Sequence, residues 1–174
     1  MLIRRRFSWA LLLTTLAIAF STALSAFGQG SEKLFFIQRS KNTSEIHYDA
    51  RVGADGKLDP KAPVDSYWRS KTKEGWSRSG ISFFQRIAYG HDVDAAGDGT
   101  YAMKLKAFPD RPLTLLQVDG RWRARTTIAG KRAYLTRLYV ATDESGVMPK
   151  VLYVDIFGED ASTGKALQEH IVKN

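Results

Sequence analysis

The sequence predicts a mainly β fold, an antiparallel β-barrel or β-sandwich of about eight or nine strands with one short helix. Three observations predict it. Ile46, Tyr48, Ala50 and Val52 alternate with His47, Asp49 and Arg51, which is the period of a strand with one face on a core. Asp55-Gly56 and Asp119-Gly120 suit the two positive-φ positions of a type I′ hairpin turn, and Ala129-Gly130 is a third candidate. Only between 80 and 89 does the spacing lengthen: Ile81, Phe84, Ile87 and Ala88 recur at three and four, one face of a helix.

The elements follow in order. Two apolar runs, 34–39 and 46–52, flank six polar residues and read as a hairpin. A turn-rich segment with Leu58-Asp59-Pro60 and Pro63 leads to a third strand over 64–70. There Val64, Ser66 and Trp68 point one way, and Asp65, Tyr67 and Arg69 the other. The helix near 80–89 takes Ser79 as N-cap and Gly90 as a left-handed C-cap. Residues 91–100 read as a loop. Strands are expected near 101–107, 112–118, 121–128, 132–141 and 150–157. Thr163-Gly164 reads as a turn, and β-branched Ile171-Val172 favours a last strand over a short helix in 165–172. Pairing through Asp119-Gly120 puts Leu113 and Leu115 on the face of Trp122. The predicted core therefore joins Trp68 and Trp122 with Ile46, Tyr48, Phe84 and Val154. The competing expectation is that Trp68 lines an open site.

Composition bounds the function. The chain has 174 residues, 44 % hydrophobic and 25 % charged, which fits one globular domain and argues against wholesale disorder. Its net charge is +8; setting aside Arg4, Arg5 and Arg6 leaves 23 cations against 18 acids, or +5. That surplus permits attraction to anionic surfaces without requiring it. The absence of cysteine removes disulfides, thiol nucleophiles and thiolate metal sites, so a body of about 145 residues must rest on its core.

The first residues read as a transport signal. Arg4-Arg5-Arg6 is followed by an uncharged apolar run from Trp9 to Leu24, then by small residues at Ala26 and Gly28. Residues 1–28 are expected to be a signal peptide, cleaved after Gly28, and 29–174 a single β-rich domain. An uncleaved anchor is the alternative, but the run is short for a span of about 20 residues. The expected location is periplasmic or secreted, with no membrane span after cleavage.

Several segments resemble chemistry and fail the test of spacing. Counting from Asp92, a calcium loop would need ligands at Ala96 and Met103. The segment Gly158 to Ala166 has one residue too many before Gly164-Lys165 for a phosphate loop and lacks the following Ser or Thr. No two histidines among His47, His91 and His170 stand at metal-pair spacing, so no metal and no cofactor is expected. No serine-hydrolase elbow and no His-Glu-x-x-His signature occurs.

Two strand faces remain. His47, Asp49 and Arg51 share one face of the second strand, and Asp65, Tyr67 and Arg69 one face of the third. If those strands are neighbours, an imidazole, carboxylates, a phenol and guanidiniums meet. Such a set suits a ligand or general acid–base work; the ordinary reading is a solvated face laced with ion pairs. The candidate ligand-binding residues are Arg39, His47, Asp49, Arg51, Tyr67 and Arg69. Arg121, Arg123 and Arg125 share the face opposite Trp122, together with Arg132 and Tyr134. The aromatics there are too few for a nucleic-acid platform, so a solvated edge is expected and nucleic acid is not.

Phe36-Ile37-Gln38-Arg39-Ser40-Lys41-Asn42, His47-Tyr48-Asp49-Ala50, Leu58-Asp59-Pro60, Tyr67-Trp68, Ala88-Tyr89-Gly90 and Thr163-Gly164-Lys165 resemble a bacterial exported family, domain of unknown function 4833. The resemblance covers most of 34–172. It implies a compartment and a domain extent but no activity. The reading is an exported, non-catalytic β-domain that binds a small molecule, a glycan or a protein. The alternative is an enzyme drawing acid–base chemistry from His47, Asp49 and Tyr67.

Overall fold

The computed structural model describes residues 30–40, 43–146 and 150–173. The leader expected over 1–28 lies outside the described residues. Eleven strands and one helix follow in chain order: β1 (Gly30–Arg39), β2 (Glu45–Val52), β3 (Val64–Thr72), β4 (Gly75–Gly80), α1 (Phe83–Tyr89), β5 (His91–Ala95), β6 (Tyr101–Leu105), β7 (Phe108–Val118), β8 (Arg121–Ile128), β9 (Lys131–Asp143), β10 (Lys150–Asp160) and β11 (Ala166–Val172). The class is as expected; the strand count is higher than eight or nine.

The strands run in the order β4-β3-β2-β1-β9-β8-β7-β6-β5, and β10 with β11 pairs onto β9. All pairings are antiparallel except β1 with β9. The sheet does not close: β4 and β5 end the path. The result is sandwich-like, not a barrel. The pivot is β9, which is 13 residues long. Its Lys131–Tyr134 part pairs with β8, its Arg137–Val140 part pairs in parallel with β1, and β10 follows its length from Ala133 to Asp143. One strand thus holds both halves of the sheet and lets them fold over a shared interior.

That interior collects the alternate residues. Phe35, Ile46, Tyr48, Met103, Leu115, Ile128 and Ile156 are fully buried, and Phe35 stacks on Tyr48 with centroids 4.7 Å apart. Burying each such side chain contributes roughly 1.5–3 kcal/mol. Trp122, Leu113 and Val154 join the same core, as expected, while Trp68 is only half-buried against it. Gly158 sits where β10 shifts register on β9; a Cβ there would stand 2.4 Å from the Tyr134 carbonyl oxygen.

Two of the three predicted turns have the expected form. Asp119 and Gly120 (φ 50 and 75) and Ala129 and Gly130 (φ 49 and 77) are both positive pairs joining adjacent strands. At Asp55-Gly56 only Gly56 is positive, inside a longer loop closed by Gly53 N–H to the Lys57 carbonyl at 2.7 Å.

Two edge strands escaped the sequence reading. β4 reads GWSRSG and is exposed throughout, and β5 occupies 91–95, where a loop was expected. Neither has an alternating apolar set, because an edge strand is held by one backbone ladder.

The helix is where expected, but its details differ. Ser82, not Ser79, is the N-cap, in a capping box with Gln85. Gly90 is extended at φ −68, not left-handed; it is needed because a Cβ would lie 2.3 Å from the Arg86 carbonyl oxygen. Phe84, expected in the core, is 79 % exposed, beside Phe83 at 76 % and Ile87 at 68 %. The reason is length. A helix of seven residues is fastened at its ends, by buried Ile81 before it and Tyr89 at its close, and no element covers its middle among the described residues. Tyr89 takes the Tyr48 hydroxyl on its carbonyl at 2.8 Å and meets the Trp68 ring edge-on.

Candidate functional site

The pleat divides the predicted site residues between two faces. β1 pairs with β2 and β2 with β3, with Phe36 opposite His47 and His47 opposite Tyr67. On this outer face the three rings stack, at 5.4 Å from Phe36 to His47 and 5.5 Å from His47 to Tyr67. Lys33 sits over the Phe36 ring and Arg78 over the Tyr67 ring, 4.4 and 3.6 Å from the centroids. Cross-strand register therefore brings the histidine and phenol together, as their spacing implied.

The side chains then satisfy one another. His47 is 2 % exposed, its Nε2 is 2.7 Å from Glu45 Oε2, and both ring faces are covered. Tyr67 and Ser31 hydroxyls both donate to Asp49 Oδ2, at 2.9 and 3.0 Å. Burial, and next the Asp49 carboxylate as acceptor, push the Tyr67 phenol up to about 12. It is therefore a proton donor at neutral pH and not a base. Asp65 bridges Arg51 and Arg78, and Arg69 lies over the Trp76 ring at 4.3 Å. Five of the six candidate residues thus form a cross-strand ladder whose rings stand against each other. A stacked row of this kind offers edges to solvent, and a sugar-stacking site needs an open ring face.

Arg39 is on the other face. It follows Ile37 on the inward side of β1 and lines a cleft at the open end of the sandwich. The cleft has a volume of about 300 Å³ and is walled by Ile37, Tyr89, Phe108, Leu138, Val140 and Val154. Arg39 and Lys173 supply its charges; Arg39 pairs with Glu144 at 2.6 Å, and the Lys173 ammonium is 6.0 Å from the Phe108 ring centroid. The size matches the lower end of ordinary ligand pockets, which run from about 300 to 1,000 Å³. Sequence reasoning missed this cleft because its walls come from β1, α1, the β6–β7 turn, β9 and β10, each contributing a few mostly apolar residues.

The motif-like segments are self-contained turns. Asp160 accepts from Ser162 N–H and hydroxyl and from Thr163 N–H, which pulls its carboxyl down to about 2. Asp98 accepts two bonds, from the Thr100 N–H and hydroxyl, and its carboxyl is likewise held low. Among the described residues no cluster of three His, Cys, Asp or Glu side chains could hold a metal. The arginine face is partly spent as well: Arg123 pairs with Glu159 and lies over Tyr134, and Arg111 grips Glu169 with two bonds at 2.8 and 2.6 Å.

Residues 35–170 match the model of a domain of unknown function, DUF4833. The chain belongs to this family. No curated protein and no solved structure matches it.

Proposed function

We propose that this is a non-catalytic binding domain, and that its ligand is a small, largely apolar molecule held in the cleft between β1, β9, β10 and α1. The cleft carries the reading: mostly apolar walls border about 300 Å³ of space beside the buried core. Apolar walls bind by removing ligand surface from water, and Lys173 at the cleft gives an acidic group on the ligand a place to rest. The acid–base alternative has less support. A general base must come within hydrogen-bonding reach of a substrate proton, and His47 is 2 % exposed with its Nε2 bonded to Glu45.

The test is a fluorescence titration with 1-anilinonaphthalene-8-sulfonate, an apolar anion. The native chain is expected to show saturable binding with one site. Ala107→Trp, at an exposed wall residue, places a large ring at the cleft and is expected to abolish that binding without moving the melting temperature. Absence of saturable binding, or undiminished binding to Ala107→Trp, would refute the proposal.

We also infer export, with residues 1–28 removed, from the three arginines, the apolar run and the small residues Ala26 and Gly28. An intact-mass measurement on protein recovered outside the cytoplasm should give a chain beginning at Gln29. A mass that includes Met1 would overturn this inference.

A further inference from the structure

We infer that α1 docks the domain onto an anionic membrane surface, with Phe83, Phe84 and Ile87 entering the interface. These are the three most exposed large apolar side chains among the described residues, at 76, 79 and 68 %, and they lie on one helix of seven residues. Large apolar groups grouped in this way on a surface mark a contact site. The helix is not a loose appendage. Its capping box, the Tyr48 bond to the Tyr89 carbonyl and the Trp68–Tyr89 contact hold it rigidly on the body. A wedge so held loses little conformational entropy when it inserts.

Charge selects the occupant. From Asp65 to Asp92 the chain carries Arg69, Lys71, Lys73, Arg78 and Arg86 against Asp65, Glu74 and Asp92, a surplus of +2, with Asp65 paired to Arg78. Lys71, Lys73, Arg78 and Arg86 are exposed. Arg86 lies within α1, and Lys106 approaches the helix end, where its Cδ would be 3.2 Å from a Cβ on Gly90. Exposed apolar side chains with cations beside them, here Arg86 and Lys106, are the pattern of interfacial attachment: the apolar groups enter the headgroup boundary and the cations meet anionic lipid. A protein partner would need a cavity for two phenyl rings and an acidic rim; a second copy of this chain would face cation with cation. No helix among the described residues is long and apolar enough to span a bilayer, so attachment would be to the surface. Ala88 and Tyr89, the next residues of the same helix, line the cleft, which would place its mouth against the bilayer.

The experiment is vesicle co-sedimentation with the 29–174 chain, which contains every strand and core residue among the described residues. Vesicles of phosphatidylcholine with phosphatidylglycerol are compared with phosphatidylcholine alone, in low and high salt. Binding to the anionic vesicles is expected, weakening as salt rises. The triple variant Phe83→Ser, Phe84→Ser, Ile87→Ser should bind at least about tenfold more weakly while keeping its melting temperature, because those side chains are exposed. Arg86→Glu should weaken binding to anionic vesicles only. Ala107→Trp, with a large ring at its cleft, should still bind the anionic vesicles, so loss of the cleft reading leaves this one standing. Equal binding by the triple variant would overturn the inference. So would no native binding, or concentration-dependent dimerisation through the patch in its place.

Discussion

The two faces of the β1–β2–β3 sheet differ in a way that residue chemistry alone would invert. The outer face holds the imidazole, phenol, carboxylates and guanidiniums, and there most groups are taken: His47 by Glu45, Tyr67 and Ser31 by Asp49 Oδ2, Arg51 and Arg78 by Asp65, while Asp49 Oδ1 is buried with no partner among the described residues. The inner face holds ordinary apolar residues, and at its open end they leave a cleft of about 300 Å³. Two of the three histidines show the same contrast. His47 is bonded and stacked, whereas His91, in edge contact with Tyr48 on the inner side, has an Nδ1 with no hydrogen-bond partner among the described residues. Polar side chains crowded on neighbouring strands stabilise one another, and that consumes the valences a ligand would need. Space for a ligand arises where packing ends.

The largest test of this contrast is on the inner face. Trp122 is 5 % exposed, donates its ring N–H to the Gly56 carbonyl at 3.0 Å and meets Tyr101 edge-on. Trp122→Ala should cost about 3–5 kcal/mol, as for other buried large-to-small changes. Trp68 is half-buried and its ring N–H has no partner among the described residues, so Trp68→Ala should cost less, about 1–3 kcal/mol. Urea midpoints measure both. Equal losses would mean that the filling of the interior does not fade toward α1, and the cleft would lose its physical basis.

Much of this was legible in the sequence, for reasons that also explain the failures. The strands with alternating apolar residues, the turns at Asp119-Gly120 and Ala129-Gly130, and the meeting of His47 with Tyr67 all follow from local period and turn chemistry. β4 and β5 were not legible because their order comes from a neighbour's backbone and not from their own side chains. Phe84 was misplaced because spacing identifies a helical face without saying whether anything covers it. Arg39 was grouped with His47, yet the pleat sends it inward to the cleft. The cleft itself depends on five elements meeting, a long-range property with no local signature.

A second test sharpens the account of the outer face. Asp49→Asn keeps an acceptor but removes the charge that Tyr67 and Ser31 share. The expected cost is about 1 kcal/mol, the size of one hydrogen bond. The more telling readout is the phenol of Tyr67. Burial and then the Asp49 carboxylate raise it to about 12, so removing the carboxylate should bring it down toward, though not to, the ordinary 10.0. Ultraviolet titration of the phenolate, with Tyr67→Phe to assign the signal, follows it. A titration unchanged by Asp49→Asn would show that the ladder is not coupled through this carboxylate.

The smallest effect concerns His91. Burial, the leading cause, lowers its pKa below the ordinary 6.5, with Lys106 adding to the fall. A hydrogen bond with the Val64 backbone, Asp92 and Asp65 oppose it without reversing it. In the unfolded chain the ring takes up its proton near 6.5, and in the folded chain only at lower pH. The unfolded state therefore binds more protons in that window, so stability is complete above pH 6.5 and declines as pH falls toward the folded value. One proton limits the slope to about 1.4 kcal/mol per pH unit. A further loss near and below pH 4.5 is expected from Glu169, whose carboxyl is held low by Arg111 first and by the Ala129 N–H. Denaturation midpoints from pH 7.5 to 3.5 should then show two declines in the native chain. His91→Gln should flatten the upper one and leave the lower one in place. If the upper decline persists in His91→Gln, the inner face does not hold a histidine against its proton, and the distinction drawn between the two histidines fails.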